Sequence, residues 1–176
     1  GDFANTVTVS NVETITGGAS SDTVTLATQV TGMVIDLAGG SDKLILGDFD
    51  NTLSIANVET VVGGASADLV TLTAQSTAAS IDLGGGDDAL TLGAFINTVT
   101  VSDAETITGG STNDTVTLGA QSTGATIDLA AGLDKLILGA FVNTVTVSNV
   151  ETITGGSTDD TVVFGAAVTG ATVDLG

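Results

Sequence analysis

Residues Asn97 to Val142 read NTVTVSDAETITGGSTNDTVTLGAQSTGATIDLAAGLDKLILGAFV, and the same phrase recurs along the chain with substitutions but without a gap. Its counterparts begin at Asn5, Asn51 and Asn143, so each interval is 46 residues and the fourth copy is incomplete at Gly176. A fixed period of this size marks an architecture of stacked repeats. Glutamate occupies one slot of the repeat (Glu13, Glu59, Glu105, Glu151), and phenylalanine another (Phe3, Phe49, Phe95, Phe141). No insertion interrupts the register, so residues 1–176 read as a single repetitive segment without a linker. Neither terminus resembles an atypical capping repeat, and the chain reads as a cut through an array or a unit meant to stack.

Within the phrase, apolar residues alternate with threonine, which is the period of a strand and not of a helix. The alternation centres on Val99–Val101, Thr106–Thr108, Val116–Leu118, Ile127–Leu129 and Leu136–Leu138. These stretches are rich in β-branched residues, which suit a pleated surface. Clusters of Gly, Asn, Asp and Ser separate them and supply turns. The fold class predicted is all-β, a parallel β-solenoid. Asp114-Thr-Val-Thr-Leu-Gly-Ala120 resembles Asp134-Lys-Leu-Ile-Leu-Gly-Ala140, and the next such aspartate is Asp160, giving offsets of 20 and then 26 residues. About two coils per repeat account for this, with the Val-Thr-Val-Ser strand as a third side or a bulged corner. Val99, Val101, Ile107, Val116, Leu118, Ile127, Leu129, Leu136 and Leu138 are expected inside, stacked on their own copies. The four phenylalanines are expected to form an aromatic ladder at one corner.

Composition narrows the function. The chain has 176 residues, 42% of them apolar, and 24 glycines. It has two cations, Lys43 and Lys135, against 21 carboxylates, for a net charge of −19. Such a polyanion repels nucleic acid and anionic membrane surfaces and draws metal cations. No apolar run approaches the ~18 residues of a membrane span. There is no cysteine for a disulfide framework or a thiolate metal site. Arg, His and Tyr are also missing, which removes the usual means of cleaving an acidic polysaccharide. Paired carboxylates could serve a glycosidase, but Asp87-Asp88 and Asp159-Asp160 lack counterparts in most repeats. An enzyme is not expected.

Four turns read GGASSD, GGASAD, GGSTND and GGSTDD, each followed two residues later by valine. Gly17, Gly18, Asp22 and Val24 carry the pattern, as do the equivalents ending at Asp68, Asp114 and Asp160. This resembles the RTX (hemolysin-type calcium-binding) nonapeptide GGxGxDxUx, and the NVETITGG phrase is similar to repeat regions of large secreted bacterial adhesins and surface-layer-like proteins. The resemblance implies calcium held by oxygen ligands between adjacent coils. Its ligands here would be Asp22, Asp68, Asp114 and Asp160, with Asp42, Asp88 and Asp134 from the shorter Gly-x-Asp-x-U turns. Two features depart from the family pattern: Ser20, Ser66, Thr112 and Thr158 replace the third glycine, and the motif recurs every 46 residues. A site needs the long and short turns to stack on one edge. The competing reading makes these aspartates turn-formers bonded to nearby backbone N–H groups. Asp36, Asp82, Asp128, Asp174 and the glutamate column read as a solvated charged face.

The function expected is that of a structural repeat module of an extracellular surface protein or filament. Its partners would be further copies of itself joined head to tail, or neighbouring repeats of a longer chain, with calcium as a stabilising cation. Alternatives are a calcium-binding adhesin stalk that does not polymerise and an ice- or surface-binding solenoid built on outward pairs such as Thr98/Thr100 and Thr115/Thr117.

Overall fold

A computed structural model describes residues 1–176 and contains strands and turns but no helix. The first repeat supplies β1 (Thr6–Val9), β2 (Thr14–Gly18), β3 (Thr23–Leu26), β4 (Thr31–Ala38) and β5 (Lys43–Ile45). The second supplies β6 (Asn51–Ala56), β7 (Thr60–Gly64), β8 (Asp68–Leu72), β9 (Ala79–Gly84) and β10 (Ala89–Thr91). The third supplies β11 (Thr98–Ser102), β12 (Thr106–Thr108), β13 (Thr115–Leu118), β14 (Thr123–Asp128) and β15 (Lys135–Ile137). The last supplies β16 (Thr144–Ser148), β17 (Thr152–Thr154), β18 (Thr161–Phe164) and β19 (Thr172–Asp174). Odd-numbered strands form one sheet of ten and even-numbered strands a second sheet of nine, and every pair is parallel. The chain is a β-solenoid with two strands per coil.

The expected strands are all present, but the coil count differs. Five strands per repeat at two strands per coil give two and a half coils, not two. The odd number follows from the Val-Thr-Val-Ser strand, which is a full member of a sheet and neither a third side nor a corner. One repeat therefore advances by about 12 Å, at ~4.8 Å per strand, and turns half-way round the rod. Equivalent residues of adjacent repeats lie on opposite sheets: Val24 is in β3 of one, Val70 in β8 of the other. The 20-residue offset is one coil, because Thr115 pairs with Lys135. The 26-residue offset is a coil and a half.

Two expectations fall with this half-turn. Inward residues do not stack on their own copies: Val99 lies between Ala79 and Val116, and Val116 between Val99 and Leu136. The nine named residues are nevertheless all buried, in one core of aliphatic side chains. The phenylalanines form no ladder, since Phe49 and Phe141 lie at one edge and Phe3 and Phe95 at the other. Each of Phe49, Phe95 and Phe141 instead folds over the glycine two residues before it, a position with positive φ. Outward threonines pair with one another over short runs but the rows are interrupted, as in Thr8, Thr25, Ile45, Val62, so no flat threonine array runs the length of the rod.

The Gly-Gly pairs are required by close approach. A Cβ on Gly109 would overlap the carbonyl of Leu129 in the coil above, and one on Gly110 the carbonyl of Gly93 in the coil below. Neither has positive φ, so these glycines extend β12 and its equivalents through a crowded corner rather than turn the chain.

Candidate functional site

The half-turn brings different turns together along each edge. On the edge that carries Asn97, the order of stacking is Asn97, Asp114, Asp134 and Glu151, joined by hydrogen bonds between successive coils. Asn97 donates its backbone N–H and its Nδ2–H to Asp114 Oδ1 at 2.9 and 3.0 Å. The N–H of Asp114 donates to Asp134 Oδ1 at 2.6 Å, and the N–H of Asp134 to Glu151 Oε2 at 2.7 Å. The same four-step ladder is built from Asn51, Asp68, Asp88 and Glu105. A third runs through Asn5, Asp22, Asp42 and Glu59. A fourth begins at Asn143 and stops at Asp160.

The asparagine begins each ladder. Besides its bonds to aspartate, Asn97 Nδ2 donates to the carbonyls of Leu92 and Phe95, which pins the Leu-Gly-x-Phe corner, and its Oδ1 accepts the N–H of Ser76. Asn97 and Asn143 are completely covered. Buried donors and acceptors in such corners must be paired, because an unpaired one costs about 1–3 kcal/mol. The ladders supply those partners where the chain leaves the sheets.

All seven aspartates singled out from sequence lie in these ladders. Long and short turns do stack on one edge, as a shared site requires. Their ladder bonds run between coils, each aspartate accepting from a residue 17 or 20 positions away, and Asp114 also accepts the N–H of Gly110 in its own turn, at 3.4 Å. In the other column, Asp36, Asp82, Asp128 and Asp174 each accept the N–H two residues on. The glutamates also exceed a solvated face, since Glu59, Glu105 and Glu151 each terminate a ladder. Sequence reasoning missed Asn51, Asn97 and Asn143, although an invariant asparagine 17 residues before each long-turn aspartate was the available signal.

Each ladder aspartate uses Oδ1, and the Oδ2 atoms of Asp42, Asp68, Asp88, Asp134 and Asp160 are buried without a partner. Burial pushes the carboxyls of Asp88 and Asp134 up to about 6, with the neighbouring aspartate and glutamate adding to the effect. Asp42 and Asp68 are raised for the same primary reason. Asp22 moves the other way, because its hydrogen bonds from Asn5 outweigh desolvation beside the open lower end. No cluster of three or more acidic side chains surrounds a common point. Along each edge the acidic side chains meet as successive pairs.

Comparison of the chain with family models, curated proteins and solved structures finds no match. The likeness to RTX repeats therefore rests on the turn motif alone.

Proposed function

We propose that the chain is a structural module of an extracellular surface protein or filament, whose copies join head to tail, and that it is not an enzyme. The observation that carries this reading is the way one repeat stacks on the next inside the rod: β6 pairs with β4, β11 with β9 and β16 with β14, and β1 and β19 are further members of those two strand classes. A second copy placed with its β1 on β19 repeats a pairing the chain already makes three times. The surface hollows favour the same reading, since none exceeds about 210 Å³, below the ~300 Å³ where ligand pockets begin.

Charge opposes the contact. With a net charge of −19 and a Debye length of about 8–10 Å at ordinary ionic strength, the acidic columns of two rods repel across a junction. Burial of Val7, Val173 and their neighbours favours it, at roughly 25 cal/mol per Å². Electron microscopy and light scattering are expected to find short particles at low salt and filaments after salt or calcium is added. A chain that stays monomeric in both conditions replaces this reading with that of a stalk segment.

Calcium as a stabilising ion is the second part of the proposal, favoured by the unpartnered Oδ2 atoms of Asp42, Asp68, Asp88, Asp134 and Asp160. Calorimetry at millimolar calcium tests it. Heat of binding with a raised melting temperature supports it, and neither leaves the ladders as purely structural.

A further inference from the structure

Because each repeat turns half-way round the rod, equivalent corners of successive repeats fall on opposite edges, and the two edges can be compared position by position. Ascending the edge that carries Asn97 are a hollow between the Glu59 and Gln75 turns, the Phe95-Ile96 corner, and the turn that holds Leu133. The same three positions 46 residues earlier lie on the other edge: the hollow between Glu13 and Gln29, the Phe49-Asp50 corner, and Asp87. Asp50 therefore stands where Ile96 does, and Asp87 where Leu133 does. One edge is charged at both protruding positions and the other is apolar at both. Ile96 and Leu133 are 56% and 72% exposed. The cations follow the apolar edge, since Lys43 and Lys135 open β5 and β15 there, while Ala89 takes their place at the start of β10 on the other. A cluster of large apolar side chains in solvent, rimmed by polar groups, marks a contact surface.

The hollow shows what the contact takes. Its floor is Ile55, Val58, Leu72 and Ala79, its rim includes Glu59 and Gln75, and its volume is about 200 Å³. That is small for a ligand pocket, which begins near ~300 Å³, but it has room for one aliphatic side chain. The Leu133 turn is fixed to the coil below, because the Leu133 N–H donates to Asn113 Oδ1 at 2.9 Å. The hollow lies about one and a half coils below Ile96 and Leu133 two coils above it, about 7 and 10 Å at ~4.8 Å per coil. A hollow and a knob at similar distances on opposite sides of one residue form a self-complementary patch, the layout of a two-fold interface.

We infer that this edge binds the same edge of a second copy, with the two rods antiparallel about a two-fold axis at Ile96. Leu133 of each copy enters the Ala79 hollow of the other, and Ile96 packs against its own counterpart at the axis. Lys135, two residues beyond Leu133, comes against Glu59 on the rim of that hollow, so each knob carries one ion pair across the interface. The pairing is lateral and does not depend on head-to-tail stacking.

A cross-link tests it. The chain has no cysteine, so Ile96→Cys places a single thiol at the axis. Oxidation is carried out at ordinary ionic strength and at about 1 M salt, where the Debye length falls to about 3 Å. A disulfide-linked dimer is expected, and Asp50→Cys on the other edge should form one about ten-fold more slowly, because only the residue on a two-fold axis meets itself. Adding Leu133→Asp, the residue of the preceding repeat, should slow the Ile96→Cys cross-link by about ten-fold or more, as for an anchor side chain in an interface pocket. Lys135→Ala should slow it less. The urea midpoint of the Leu133→Asp monomer reports on its fold, and Leu133→Ser, the residue of the first repeat, replaces it if the charge unsettles the turn. Head-to-tail stacking does not mimic the cross-link, since equivalent residues of stacked copies lie a whole chain apart along the axis. Equal cross-linking of the Ile96→Cys and Asp50→Cys variants overturns the lateral pair, with or without filaments. A cross-linking rate that a folded Leu133 variant leaves unchanged overturns it as well.

Discussion

Asn5–Ser10 and Asn97–Ser102 are the same six residues, Asn-Thr-Val-Thr-Val-Ser, and both form a strand of the same sheet. Val7 is 41% exposed and Val99 is 2% exposed. The difference lies in the neighbours, because β1 pairs only with β3 whereas β11 lies between β9 and β13. The equivalents Asp22 and Asp68 differ likewise: hydrogen bonds lower the first, and burial raises the second. A coil of this rod has no core of its own. Burial and electrostatics are properties of the stack, as a nearest-neighbour model of repeat stability requires.

The strongest challenge to that view is a pair of matched core truncations. Ile107 lies between Leu90 and Ile127, while its equivalent Ile15 faces only Ile35. Ile107→Ala is expected to cost about 2–5 kcal/mol, and Ile15→Ala less than half as much, by urea denaturation. Equal losses would mean that the end coil is as well packed as the interior.

Acidification probes the ladders in the same way. Asp88 and Asp134 titrate near 6 when folded, against an ordinary value of 3.8. A raised carboxyl binds its proton more tightly in the folded state, so the stability it contributes is present below about pH 4 and lost as pH rises towards 6. The melting temperature should therefore rise as pH is lowered from 7 to 5. Asp22 works in the opposite direction at lower pH, because its lowered carboxyl loses its contribution once it is protonated. The double variant Asp88→Asn with Asp134→Asn should flatten most of the rise between pH 7 and 5. An unchanged slope in that variant would place the titration elsewhere.

The strands were legible because the Val/Ile/Leu–Thr alternation is local, and β11 to β15 fall on the stretches it marks. The coil count was not, because strand number per repeat says nothing about which strands pair until the corners are known. An even count leaves the fifth strand, Val-Thr-Val-Ser, as a third side or a bulged corner, and it is only under an even count that the phenylalanines align in a ladder and the core residues stack on their own copies. The site was half legible: the seven aspartates stood out through their glycines. Their partners Asn97 and Glu151 belong to different turns, 17 residues before Asp114 and 17 after Asp134, and only the stacking joins them.

The smallest effect expected is at a turn that recurs in each repeat. Asn57 and Asn149 donate Nδ2–H to Asp36 and Asp128 at 2.8 and 2.7 Å. Asp103 occupies the equivalent place beside Asp82, so a carboxylate stands where the donor would be. All three residues have φ between 51° and 53°, a left-handed conformation that asparagine and aspartate both tolerate, so the backbone does not separate them. Burial raises the Asp103 carboxyl, and the charge of Asp82 raises it further. Above its folded pKa the residue meets Asp82 as a second anion; below it, the added proton can bridge the two oxygens as an amide N–H does elsewhere. Asp103→Asn is therefore expected to stabilise the chain at pH 7 by about 0.5–1.5 kcal/mol, the range for one hydrogen bond, with the gain shrinking as pH falls towards 4. Asn149→Asp should impose a loss of similar size with the same pH dependence. Urea titrations of both variants at pH 7 and pH 4 check the pair, and a gain from Asp103→Asn that persists unchanged at pH 4 would show that helix-like turn propensity, and not the two facing charges, sets this turn apart.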